Sequence, residues 1–187
     1  MRGLRGLAPS GLQQAAYDAQ LAAGLPVSVL ATATMTRQEG PIDLSLCADY
    51  VHAVQRADWF GAAFTGHAEP VVVVGAPGVS RADARARLVT IGMDDRWDVR
   101  ACEHACLHEL AHIVTPDRGP DHELREPPAG PTSSMGHHRA WRANFIFIVQ
   151  MTLGKQAAHR LRHEFPRWGL PTLSTAASTS LHDDRRS

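Results

Sequence analysis

The sequence predicts an α+β fold. Helical apolar spacing occupies both halves of the chain, two β-branched runs lie close together between Val71 and Met93, and a long helical stretch follows them directly. With 187 residues the chain suits one compact domain burying roughly 70% of its unfolded surface. Hydrophobic residues make up 44% and charged residues 20%. Those proportions exclude wholesale disorder, collagen-like repetition and a long coiled coil.

Residues 1–10 are Gly-rich and are expected to be flexible, and a single domain is expected over 11–171. Leu12 to Ala23 carries helix formers and ends at Gly24, a C-cap signal. Asp43 or Ser45 caps a second helix whose apolar positions Leu46, Tyr50, Val51 and Val54 keep helical spacing up to Arg56. Trp59-Phe60-Gly61 reads as a connector. Val71 to Val74, bounded by Pro70 and Gly75, reads as a buried strand, and Arg87 to Met93 alternates like a second. Between them, Pro77 to Asp83 reads as a turn followed by a short helical piece.

Asp94-Asp95-Arg96 breaks the second strand, and a helix is predicted from Asp98 to Val114, stopped by Thr115-Pro116 because a residue before proline avoids the helical region. Residues 116–136 are rich in Pro, Gly, Asp and Ser and read as a long loop. From His137 to Met151, Trp141, Phe145, Ile148 and Val149 mark a helix. Gly154 breaks it, and Gln156 to Phe165 forms a last helix ended by Pro166. Residues 172–187 are low in complexity and read as a disordered tail.

The formal net charge is zero, which gives no global pull toward nucleic acid or anionic lipid. No stretch approaches the ~18 to 20 apolar residues of a membrane span, and the N-terminus lacks the apolar core of a secretory signal, so a cytoplasmic protein is expected. Three cysteines, Cys47, Cys102 and Cys106, are too few and odd in number for a disulfide framework. Eleven histidines are the compositional anomaly, and several crowd between His104 and His138.

His108-Glu109-Leu110-Ala111-His112 is an H-E-x-x-H sequence inside the predicted helix. Positions four apart on a helix differ by about 40° in azimuth and ~6 Å in height, so both imidazoles leave one face and can meet at one ion. Neutral imidazole suits zinc, and Glu109 stands where metalloproteases place the carboxylate that takes a proton from water. A catalytic zinc needs a third protein ligand. The metzincin extension is absent, with Thr115 and Arg118 at its Gly and His positions. Glu123, Glu126 and Glu164 are carboxylate alternatives without a supporting pattern. His137 is favoured, with His138 second, because both stand where the loop meets a helix. Trp141 and Phe145, four and eight residues past His137, would pack along its side.

H-E-L-A-H followed later by Gly136-His137-His138-Arg139-Ala140-Trp141 resembles the H-E-x-x-H and H-G-x-x-F pair of SprT-like and minigluzincin-like zinc proteins. It is similar in particular to small actinobacterial and actinophage metallohydrolases with that pair, from about Tyr17 to Leu170. His138 stands where the family has glycine and Trp141 where it has phenylalanine. The resemblance implies a zincin-like domain with a small sheet packed on the motif helix, a zinc ion, and hydrolase chemistry.

His104 shares the motif face one turn earlier and reads as a further ligand or, more often in such helices, as an exposed histidine. Cys106 points away from the proposed ion and reads as packing. Lys155, Arg160, Arg162 and Arg167 make the last helix basic, which fits a solvated face better than DNA contact, since no zinc ribbon or basic tail accompanies it. Two functions follow. One is a zinc peptidase using His108, His112 and His137 as ligands and Glu109 as general base on a peptide or protein substrate. The other is a non-catalytic zinc module contacting protein or DNA. No oxyanion stabiliser beyond zinc stands out: Arg139 and His138 are near, whereas Tyr17 and Tyr50 are distant in sequence.

Overall fold

The computed structural model describes residues 11–35, 40–67, 69–115, 137 and 139–170, with side chains from residue 15 onward. The expectations for 1–10, for the loop over 116–136 with Glu123 and Glu126, for His138 and for 172–187 lie outside those residues. The fold is mixed α and β, with seven helices and one three-stranded sheet among the described residues. No described helix is long and apolar enough to cross a membrane.

Helix α1 spans Gly11–Ala23, and a six-residue helix α2, Val29–Thr34, follows it. Sequence spacing missed α2 because six residues hold too little periodicity to register. It forms because Ser28 Oγ accepts from the Ala31 N–H at 2.9 Å, an N-cap. Helix α3, Leu44–Arg56, begins at Asp43, whose carboxylate accepts from the Ser45 N–H at 2.7 Å. The segment read as a connector is instead helix α4, Asp58–Ala63. Aromatic packing holds it: Phe60 lies 5.6 Å from Trp59 and 5.0 Å from Phe64, edge to face, and is fully buried.

Strand β1, Val72–Ala76, pairs in parallel with β3, Leu88–Gly92. The stretch between them, expected to turn into helix, carries strand β2, Arg81–Asp83, antiparallel to β3 on its other side. A local signal explains it: Asp83 Oδ1 accepts from the Arg85 and Ala86 N–H groups at 3.0 Å, and Arg87 adopts φ 50°, so the chain reverses into a hairpin. The order is therefore β1-β3-β2. At the end of β3 the returning chain passes so close that a Cβ on Gly92 would stand 2.0 Å from the Gly78 carbonyl oxygen. Ser80 Oγ ties this crossing, accepting from the Gly92 N–H at 2.8 Å and donating to Asp95 at 2.5 Å.

Helix α5, Val99–Ile113, follows a 3-10 turn over Asp94–Trp97 and starts at Asp98, whose Oδ1 accepts from the Ala101 N–H at 3.0 Å. Ten of its fifteen residues are buried, so it is enclosed on nearly every side. It packs against β3 and β2, against α3, and against helix α6, Arg139–Leu153. Gly154, at φ 93°, ends α6 and starts helix α7, Lys155–Arg167, which seats α1. Proline does not stop α7 at Phe165 as expected: Pro166 lies within the last turn. The helix closes instead at Gly169, φ 74°, where Leu170 N–H reaches back to Phe165 O at 2.8 Å and the Leu170 side chain is fully buried. The basic side chains of α7 are largely exposed, while Arg160 bonds the Gly24 carbonyl and Arg162 bonds Gln150.

On the face of α5 toward α2 and α3, the fully buried Glu103 takes Tyr50 Oη–H on one carboxylate oxygen at 2.6 Å. Its other oxygen takes the Ser28 N–H at 2.9 Å. One carboxylate thereby joins three helical segments, and removing it strands two buried donors. Glu103→Ala is expected to lower unfolding free energy in urea by about 3 kcal/mol. Glu103→Gln should lose less, because its amide oxygen still accepts.

Candidate metal centre

His108 and His112 enter the site from α5, and His137 enters from the residue two before α6; Glu109 follows His108 on α5. His108, Glu109 and His137 are buried and His112 is half-buried. The three imidazoles form a near-equilateral cluster, with ring centroids 5.2 Å apart for His108 and His112 and 4.9 Å apart for each pair including His137. One ligand nitrogen from each lies within 4.8 Å of the others, close enough to hold a metal ion. His108 Nε2 and His137 Nε2 are 2.8 Å apart and share a hydrogen bond.

Trp141 closes the cluster from the first turn of α6. Its ring centroid lies 4.3 Å from that of His137, edge to face, and 5.1 Å from that of His112, stacked, and Phe145 stacks on its far side at 5.1 Å. The aromatic pair expected behind His137 is thus present. Arg142 Nη1 donates to the His137 carbonyl at 2.7 Å and fixes the backbone at that residue. Asn144 Nδ2 donates to Thr115 Oγ1 at 3.0 Å, and Thr115 donates to Ala111 O at 2.6 Å, so the end of α5 is tied to α6 beside the site.

Sequence reasoning missed the wall supplied by α1. Tyr17 stacks on His108 with centroids 4.8 Å apart and planes 7° from parallel, and Gln20 Nε2 lies 2.9 Å from His108 Nδ1. A faint signal existed: Ala16, Ala19 and Ala23 make a buried stripe in which Gln20 is the polar interruption. Asp95, in the 3-10 turn, was read only as a strand breaker, yet its charge reaches both Glu109 and Tyr17.

Burial sets the charge states. Desolvation first, then the charges of His137 and His112, hold the His108 imidazole well below its ordinary pKa, so it stays neutral and keeps a lone pair to offer. Burial, with Asp95 adding to it, raises the Glu109 carboxyl well above the usual carboxylate range. Burial, Glu109 and Asp95 likewise push up the Tyr17 phenol, which remains a donor. A cation in the cluster would act against the first effect on Glu109, because nearby positive charge favours the ionised form.

Other expected participants lie elsewhere. His104 is partly buried near Pro26 on α5, outside the three-imidazole group. Glu164 bonds Arg167 and His163 on α7. Arg139 is exposed at the start of α6, and Tyr50 serves Glu103. Cys47, Cys102 and Cys106 are free thiols buried between α3 and α5, with Cys47 and Cys102 sulfurs 3.3 Å apart. Comparison of the chain with protein families, curated proteins and solved structures finds no match.

Burial, with the Arg100 charge opposing protonation in the same sense, lowers His104 from its usual value to about 4. The unfolded chain therefore binds a proton at His104 before the folded one does, and stability falls as pH drops from about 6.5 to about 4. Replacing it, His104→Gln, should flatten that part of the pH dependence of urea midpoints while leaving the pH 8 value close to wild type.

Proposed function

We propose that the protein is a zinc-dependent hydrolase, a peptidase of zincin-like, minigluzincin-like or SprT-like architecture. His108, His112 and His137 are the metal ligands and Glu109 is the general base. The observation that carries this reading is the meeting of three imidazoles, two from one buried helix and one from just before another, with the buried Glu109 next to His108 in the chain. Three nitrogen donors with one remaining position is the donor set of catalytic zinc, and ligand nitrogens on a tetrahedral zinc stand about 3.3 Å apart. The 2.8 Å His108–His137 spacing reaches that value with a shift of roughly half an ångström. A sheet packed on the motif helix supports the zincin-like reading.

A zinc ion bound there supplies a Lewis acid that lowers the pKa of water toward ~7 and polarises a substrate carbonyl. Glu109, next to the first ligand on α5, takes the proton from the attacking water and returns it to the leaving amine nitrogen. Tyr17 stays a neutral phenol stacked on the His108 face, and we assign to it the donor that meets negative charge on the substrate oxygen. Trp141 and Tyr17 bracket His108 and limit its ring to one orientation, which sets the ligand direction before the metal arrives.

Purified protein is expected to take up about one zinc per chain and to cleave an unfolded test protein. Glu109→Gln should keep the metal and lose turnover by about 10²- to 10⁴-fold, the usual range for a removed general base. Equal cleavage by that variant would remove Glu109 from the chemistry, and zinc without any turnover would favour a binding module. Both His112→Ala and His137→Ala should release most of the zinc, measured by metal analysis after gel filtration.

A further inference from the structure

The hydrogen bonds around His108 run in one direction. Gln20 Nε2 lies 3.2 Å from the Ala16 carbonyl oxygen and 2.9 Å from His108 Nδ1. A carbonyl only accepts, so the amide end facing both atoms is the nitrogen, and its two N–H groups serve the two acceptors. A neutral imidazole that accepts at Nδ1 carries its proton on Nε2. That proton lies in the 2.8 Å contact with His137 Nε2.

A cation held by these imidazoles uses the same Nε2 atoms as lone-pair donors, so it and the His108–His137 hydrogen bond exclude each other. For His108 to ligate through Nε2, its proton must sit on Nδ1, and a buried Nδ1–H needs an acceptor. Gln20 is the residue at that atom, and at 4% exposure it leaves little room for water to replace it. A half-turn about the terminal torsion of its side chain, which is soft and two-fold, brings Oε1 to Nδ1. The Ala16 carbonyl gives up the Gln20 side-chain N–H and keeps its helical bond within α1, and the side chain draws Oε1 away from that oxygen toward the Nδ1 proton.

We propose, resting on the metal reading above, that Gln20 is the positioning residue for His108, presenting nitrogen to Nδ1 when His108 bonds His137 and oxygen to Nδ1 when His108 holds a cation. Tyr17, one turn earlier on α1, stacks on the ring face and leaves the in-plane edge to Gln20. The N-terminal helix thus sets the tautomer, and so the donor atom, of the first motif histidine.

The test measures zinc affinity of the full chain by competition with a chromophoric chelator. It compares wild type, Gln20→Leu and Gln20→Glu, and follows ¹⁵N spectra of histidine-labelled protein. Gln20→Leu should bind zinc about 10- to 100-fold more weakly. Gln20→Glu, which accepts at either oxygen, should bind at least as tightly as wild type. The His108 Nδ1 signal should change from acceptor type to protonated on zinc addition. Unchanged affinity in Gln20→Leu, or an Nδ1 already protonated before zinc is added, overturns the role of Gln20 and leaves the metal reading intact. Wild-type protein that takes up no zinc overturns the metal reading and this role with it. Should Gln20→Leu fail to fold, the Gln20→Glu affinity and the spectra decide.

Discussion

A helix that carries two imidazoles and two carboxylates into the interior can do so only if each group is neutral, bonded or paired with an ion. Burying an isolated charge is far more costly than a fold of this size can absorb. Helix α5 obeys that constraint along its length. Asp98 stays at the exposed N-cap, Glu103 receives two hydrogen bonds, His108 is held neutral between Gln20 and His137, and Glu109 has its proton affinity raised. The surrounding elements are placed accordingly. α2 and α3 satisfy Glu103, whereas α1 and the start of α6 satisfy the histidines.

The same constraint explains why the aromatic residues concentrate where they do. Trp141, Phe145 and Phe165 fill the volume behind the imidazoles, with Trp141 fully buried and touching all three rings. Flat rings pack against imidazole faces without claiming their nitrogens, so the lone pairs are left to the site. Thr115 and Asn144 then tie the C-terminal end of α5 to α6.

Much of this was legible in the sequence, for identifiable reasons. The long helices α1, α3, α5 and α6 carry caps and several turns of apolar spacing, and their ends fall within a few residues of those expected. The H-E-x-x-H spacing put His108 and His112 on one face because helical geometry is local, whereas the approach of His137 to them is a tertiary contact. The errors lie where structure depends on distant partners. α2 and α4 are one to two turns long and are stabilised by a cap and by ring packing. β2 exists because β3 offers an unpaired edge, and α7 runs through Pro166 because Gly169 and Leu170 close it. Tyr17, Gln20 and Asp95 reach the site through tertiary packing, which no spacing rule encodes.

The seat of α1 on α7, fixed in part by the Arg160 bond to the Gly24 carbonyl, carries a consequence for biosynthesis. Tyr17 and Gln20 are synthesised long before the helix that anchors them. Until residues 155–167 emerge, α1 lacks its dock and the imidazole cluster lacks its first wall. The pocket is therefore among the last parts of the described molecule to mature, and a nascent chain stays without an assembled centre while its own unfolded segments are still exposed.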